Sequence, residues 1–159
     1  MDTNALLKKW LDRAQRNQNA HYEAAASLDR TQYWVGYPLV TLSTIVGTSV
    51  FATLGETAYW WAKFGVALAS VLVAVLGGIQ TFLKPAERSE RHKMAGMRYG
   101  GFKREIEETL AFPPSDPEDL QKFVTDIRLR WDKLVEESPT IPKSIWDHYG
   151  AHEPKPTQA

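Results

Sequence analysis

The residues best suited to chemistry in this sequence are His21 with Glu23, and Arg91 with His92. Imidazole changes charge near neutral pH and ligates metals, and a neighbouring carboxylate or guanidinium tunes it. The two pairs flank a pair of long uncharged runs. If those runs fold back on each other, the pairs come level. His21 lies 12 residues before Tyr33 (33 − 21), and His92 lies 9 residues after Leu83 (92 − 83). At a helical rise of 1.5 Å per residue, both sit about 14–18 Å from the run ends. Two readings follow: an interhelical hydrogen-bond network, or a ligand- or pH-responsive layer that gates the hairpin. Two histidines do not define a metal site, and no metal or other cofactor is expected.

Hydroxyls form the second constellation. Thr41, Thr44 and Thr48 share one helical face of the first run, with Ser43, Gly47 and Phe51 on an adjacent face. Ser70, Ala74, Gly78 and Thr81 make a small or polar row in the second. Small residues let membrane helices pack closely. The alternative is that the hydroxyls line a pore, which two helices cannot enclose, so several copies would have to contribute. Neither run carries a charge, so strong ion selectivity and ion-coupled transport are not expected.

Catalysis finds no foothold. There is no nucleophile elbow, phosphate-binding loop, H-E-x-x-H or Gly-rich dinucleotide turn. The absence of cysteine excludes thiolate zinc sites, disulfides and a cysteine nucleophile. Carboxylates fall in mixed-charge runs such as Lys103-Arg104-Glu105 with Glu107-Glu108, which read as solvated helix faces. An enzyme is not expected. With 19 basic and 19 acidic residues, the chain has no net charge. It therefore lacks the basic excess that nucleic-acid binding needs.

The elements that must position these groups emerge from how the apolar residues are segregated. A mean hydropathy of −0.36 averages a hydrophobic middle and charged flanks. Tyr33–Leu54 and Phe64–Leu83 are uncharged runs of 22 and 20 residues. As helices they are about 33 and about 30 Å long, matching a hydrocarbon core of roughly 30 Å. The intervening Gly55–Lys63 is short enough only for a turn. Tyr33, Trp34 and Tyr37 mark one end of the first run, and Tyr59, Trp60 and Trp61 the loop end. Such rings favour the headgroup boundary, and Trp34, Trp60, Trp61, Lys84 and Arg88 are the expected interface anchors. The loop offers only Lys63. The outer flanks offer Arg30 on one side and Lys84, Arg88, Arg91 and Lys93 on the other. The positive-inside rule then places both termini in the cytoplasm. The basic band also suits anionic-lipid contact.

The flanks read as helices. Leu6, Leu7, Trp10, Leu11, Ala14, Ala25 and Leu28 make an amphipathic helix over 2–30, with Gln18 and His21 interrupting its stripe. Pro38 is expected to bend the chain or start the membrane helix afresh, and Pro85 follows the second run. A helix over 86–111 presents Met94, Met97, Phe102, Ile106 and Leu110. Pro113-Pro114 stops it. Ser115 and Glu118 fit a capping box, with Pro117 in the first turn. The next helix, 117–137, carries Leu120, Phe123, Val124, Ile127, Trp131, Leu134 and Val135 at i, i+3, i+4, i+7 spacing. Ile145-Trp146 can dock locally. Residues 138–159 read as a C-terminal tail, disordered from Glu153. The expected fold is an all-α membrane protein, with a two-helix transmembrane hairpin and a cytoplasmic bundle of amphipathic helices. It makes one domain over 1–137.

Three stretches of the chain are similar to a known family. They are His21-Tyr22-Glu23-Ala24-Ala25, Tyr37-Pro38 through Leu42-Ser43-Thr44-Ile45-Val46-Gly47-Thr48, and Phe82-Leu83-Lys84-Pro85-Ala86-Glu87-Arg88 running on to His92 and Arg98-Tyr99. Together with the element order they resemble the SLATT domain, a two-transmembrane effector domain of bacterial conflict systems. The resemblance covers about residues 5 to 137. It implies a homo-oligomeric pore-forming effector of the inner membrane that defends against viruses by abortive infection. It also implies triggering by a nucleotide second messenger or a separate sensor protein. No active-site residues carry over from it. A second reading of the residues, from another class, is a membrane scaffold that recruits a partner through the 120–135 stripe.

Overall fold

The computed structural model describes residues 3–53 and 59–150, with side chains through residue 49 and again from 59 to 149. The end of the first uncharged run, the turn through residue 58 and the tail from Glu153 lie outside the described residues. The described chain forms five helices: α1 (Thr3–Thr53), α2 (Trp60–Leu83), α3 (Pro85–Ala111), α4 (Pro117–Glu137) and α5 (Lys143–Gly150). They divide into two compact units. One comprises residues 1–26 and 89–159, the other residues 27–88.

Several sequence expectations need correction. Pro38 does not restart the helix, because α1 runs through it without interruption. Proline removes one backbone donor, at a cost of about 3 kcal/mol in a helix interior, and the long helix on both sides of it offsets that loss. The second uncharged run becomes helical one turn earlier than expected, at Trp60. Asp116, not Ser115, caps α4. Its carboxylate accepts the Glu118 backbone N–H at 2.9 Å, with Pro117 opening the helix. Extended backbone at Asp116 (φ −92°, ψ 122°) aims its short side chain at the free amides of the first turn. The tail is folded in part: α5 occupies 143–150, and Ile145 is buried against Ala20 and Ala24 of α1.

The first unit has a mixed aromatic and aliphatic core. Leu7 and Ala14 from α1, Tyr99, Phe102 and Ile106 from α3, and Ile127, Trp131 and Leu134 from α4 form one cluster. The amphipathic stripes therefore meet one another. Trp131 stands edge-on to Tyr99, 5.4 Å between ring centres, and tilts against Phe102 at 5.7 Å. Val135, Met94 and Met97, expected on apolar faces, are exposed. The buried stripe of α3 instead passes through Ser89, His92, Ala95, Gly96, Tyr99 and Gly100. On α1 it meets His21 and the Ala25 carbonyl. Small side chains bring these helices close. A Cβ on Gly96 would lie 3.1 Å from the Tyr22 ring, and one on Gly100 would lie 2.5 Å from Gln18 Nε2. Arg130 ties α4 to α3 by a two-pronged bond to Glu105, and Arg98 reaches Glu137 at 2.7 Å.

The second unit follows different rules. The stretch beginning with α2 contains an 18-residue window of mean hydropathy 2.2, none of it buried. By length and composition α2 can cross a membrane. Half-buried positions recur along α2 at Ala62, Val66, Ala69, Val73, Leu76 and Gln80. Along α1 they recur at Gln32, Val35, Leu39, Leu42, Val46 and Ser49. Alternating steps of three and four are the spacing of a two-helix seam. Leu39 Cδ1 approaches the Cβ position of Gly77 at 3.9 Å, which places the two stripes against each other.

Candidate functional site

A heptad explains how two distant histidines become neighbours. On α1, Leu7, Ala14 and His21 repeat every seven residues, as do His92, Tyr99 and Ile106 on α3. Seven residues make nearly two turns, so each set keeps one face. His21 thus continues the α1 stripe that it was expected to interrupt. The two rings meet with Nδ1 to Nδ1 at 3.0 Å, and the residues are 2% and 3% exposed. Their ring centres lie 5.2 Å apart, and Tyr99 stacks on His21 at 5.5 Å with 18° between planes.

This contact dictates protonation. One Nδ1 must donate and the other accept, so the neutral pair holds opposite tautomers. A bond between the two Nδ1 atoms has no acceptor once both carry protons. Burial first, and then the neighbouring His92, lower the His21 pKa from 6.5 to about 4. Burial raises the pKa of the Tyr99 phenol, opposed by a hydrogen bond with Ser138. Next to the pair, Ser89 Oγ donates to the Ala25 carbonyl at 3.1 Å. The bundle thus spends its buried polar groups on helix-to-helix bonds.

The remaining candidates separate from this centre. Glu23 points to α5, where its bond to Tyr149 raises that phenol's pKa. Arg91 is exposed and lines a groove with Met94, Arg98 and Glu137. The four-residue layer is therefore a buried histidine pair with two residues on other faces. The physical reason is angular. Residues two apart on a helix are about 200° apart, and adjacent residues about 100°.

Thr41, Thr44, Thr48, Ser70 and Thr81 are all exposed and lie off the α1–α2 seam. Packing along the α1–α2 seam does not use them. Thr44 Oγ1 donates to the Val40 carbonyl at 2.9 Å, Thr48 Oγ1 to Thr44 and Ile45 at 3.0 Å, and Ser70 Oγ to Val66 at 2.8 Å. Such back-bonding satisfies a hydroxyl in apolar surroundings. Trp34, Trp60 and Trp61 are 76, 78 and 62% exposed. Lys84 and Arg88 are exposed as well. Lys84 caps α2 in the left-handed region (φ 43°, ψ 54°), its N–H bonded to the Gln80 carbonyl, and it pairs with Glu87 at 3.6 Å.

Sequence reasoning missed what surrounds the histidines. Arg13, Asn17, Tyr99, Trp131 and Trp146 share with His21 an open cavity of about 590 Å³. The heptad 92–99–106 is the signal that would have placed Tyr99 there. The Ile145-Trp146 pair was expected to dock locally, and the docking of α5 through Ile145 brings Trp146 to this cavity. Among the described residues, no group of three or more His, Cys, Asp or Glu could hold a metal. Compared with known proteins, the chain matches no family model, no curated protein and no solved structure.

Proposed function

We propose that this chain is a two-span protein of the bacterial inner membrane that assembles with copies of itself into a pore, as a non-enzymatic effector of the SLATT kind serving antiviral defence. The observation that carries the reading is what lies outside the α1–α2 seam. Large apolar side chains and a hydroxyl row are both exposed there: Val40 66%, Val71 59%, Phe64 65%, Ile45 52%, with Thr41, Thr44 and Thr48 beside them. A core helix of a soluble protein hides such surface. Lipid accepts the apolar part, and neighbouring hairpins can bring the hydroxyls together around an opening. The Lys and Arg balance supports cytoplasmic termini.

The scaffold reading rested on the stripe from Leu120 to Val135. Ile127, Trp131 and Leu134 are buried in the chain's own core, so that surface is spent internally. What α4 leaves outward is Leu129 and Val135, 58 and 53% exposed.

Induced expression with a membrane-potential dye separates the two. A pore depolarises cells, and replacing Thr44 and Thr48 with Leu abolishes the effect. A scaffold tolerates that change and fails with Leu129→Glu and Val135→Glu. An activated chain that never depolarises cells would sink the pore.

A further inference from the structure

We propose that a hollow on the outer face of α1 receives a second copy of this chain: Phe82 of the neighbouring copy fills it, and that copy's Thr81 hydroxyl donates to the Trp34 carbonyl. The inference rests on the reading of the chain as a two-span protein that assembles with itself, and it names the surface that does so. Trp34, Tyr37, Pro38 and Thr41 stand at i, i+3, i+4 and i+7, the spacing of a hole that takes one side chain from a facing helix. With Tyr33 and Leu42 they line a hollow of about 640 Å³. Tyr33 and Tyr37 stack along it, 5.6 Å between ring centres and 17° between planes. Pro38 lies inside α1 and has no N–H. The Trp34 carbonyl therefore lacks the donor that a helix supplies four residues on. In an apolar environment a carbonyl without a donor is costly.

The matching knob is on α2. Leu39 lies against Gly77, and stepping five residues from that contact toward the chain flanks brings Trp34 level with Phe82. By the same count Thr81 is level with Val35, and Gly78 with Pro38. Copies inserted in one orientation share these depths. Among the described residues no large apolar side chain is more exposed than Phe82, at 87%. Gly78, Thr81 and Phe82 share one face at i, i+3, i+4. Helical side chains lean toward their own N-terminus, which carries the Phe82 ring from the depth of Trp34 toward that of Pro38. There Gly78, whose Cβ position meets open space, leaves room for the proline. The Thr81 hydroxyl has no partner among the described residues, whereas Ser70 bonds back to Val66. A carbonyl without a donor on one face and an O–H without an acceptor on the other, at one depth, are complementary in charge. An acyl chain answers neither. Hole and knob lie on different helices, so the contact is head-to-tail, the kind that closes into a ring.

The chain has no cysteine, so disulfide cross-linking of full-length chains in membranes tests the contact without background. Tyr37→Cys and Thr81→Cys chains bearing different tags are co-expressed and their membranes oxidised. The mixed 37–81 product should exceed the 37–37 and 81–81 products by about fivefold or more, as a head-to-tail contact requires. Adding Phe82→Ala should cut the mixed product by about fivefold or more, with both chains still resisting alkaline carbonate. Phe82→Leu, which keeps most of the knob, should retain it. A lipid in the hollow predicts equal yields of the three products. Equal yields overturn the proposal, and so does a mixed product that Phe82→Ala leaves intact. The membrane-potential dye, read in parallel on the chain without added cysteines, keeps the two readings apart. Depolarisation with equal yields removes this interface alone, and a dominant 37–81 product without depolarisation supports the interface and removes the pore.

Discussion

Helices α2 and α4 have similar lengths, 24 and 21 residues, and opposite relations to their surroundings. α4 alternates apolar and charged residues, and buries Ile127, Trp131 and Leu134 in a core that α1 and α3 complete. α2 is apolar nearly all round and has no buried residue. In α4 the pattern names a partner inside the chain, because a single stripe needs one complementary surface. In α2 only a half-buried seam is answered by α1, and the remaining apolar surface has no partner among the described residues. A helix apolar on every side requires an apolar environment on every side. The hydrophobic effect therefore folds one unit onto itself and, in our reading, commits the other to lipid.

Charge should break the two units in different ways. Ile127→Asp places an unpaired carboxylate in a fully buried site and should prevent the bundle from folding, with loss of helical circular dichroism and rapid proteolysis. Val71→Arg with Val75→Arg on exposed faces of α2 should leave bundle packing intact. It should release the chain from membranes under alkaline carbonate extraction, since each charge costs about 2.5–3.5 kcal/mol at mid-helix. Retention in the pellet would show that α2 does not face lipid.

Truncation gives the next effect in size. Ile127→Ala should cost about 2–5 kcal/mol in chemical unfolding. Leu129→Ala, two residues along on the exposed face, should cost less than about 0.5 kcal/mol. Equal losses would mean that α4 has a partner on both faces.

Acidification should act through the histidine pair. The folded protein keeps His21 neutral down to about pH 4, whereas the unfolded chain takes up its proton near 6.5. Protons then favour the unfolded state. Stability present above about pH 6.5 should fall as the pH drops toward 4, by on the order of 3 kcal/mol. His92 and Tyr99 face the ring from α3, with Arg13 on the same helix in the cavity wall. His21→Phe should flatten this part of the pH profile. A mutant that retains the same slope would assign the effect to other groups.

The smallest effects probe helix spacing. Gly101→Ala meets open space and should stabilise α3 by about 0.5–1 kcal/mol, the difference in helix propensity. Gly96→Ala meets the Tyr22 ring at 3.1 Å, so it should show little or none of that gain. Differential scanning calorimetry reads both.

Much of this was legible in the residues. Periodicity located α4 to the residue, because Pro117 and Ser138-Pro139 bracket a clean stripe. Counting from the uncharged runs brought His21 level with His92. The α3 stripe was not legible. Its contact residues are Ser89, Ala95, Gly96 and Gly100, which carry little hydrophobic signal, while exposed Met94 and Met97 mimic a face. The restart expected as one outcome at Pro38 did not occur, because the local cost of one missing hydrogen bond was weighed without the helix on either side. The cavity was invisible because its walls come from residues 13 to 146, and no short window contains them.

By itself the sequence determined what is encoded by composition and local spacing: an all-helical chain, uncharged runs long enough to span a bilayer, the absence of catalytic signatures and the end of α4 at a proline. Only the tertiary structure decided which faces meet. It paired the histidines through Nδ1, turned the threonines away from the α1–α2 seam, and brought Trp146 and Arg13 to the wall of one cavity. Those outcomes depend on the rotation of each helix about its axis. That rotation is set by close packing of small side chains across helices distant in sequence, where a single residue's offset turns a face by about 100°.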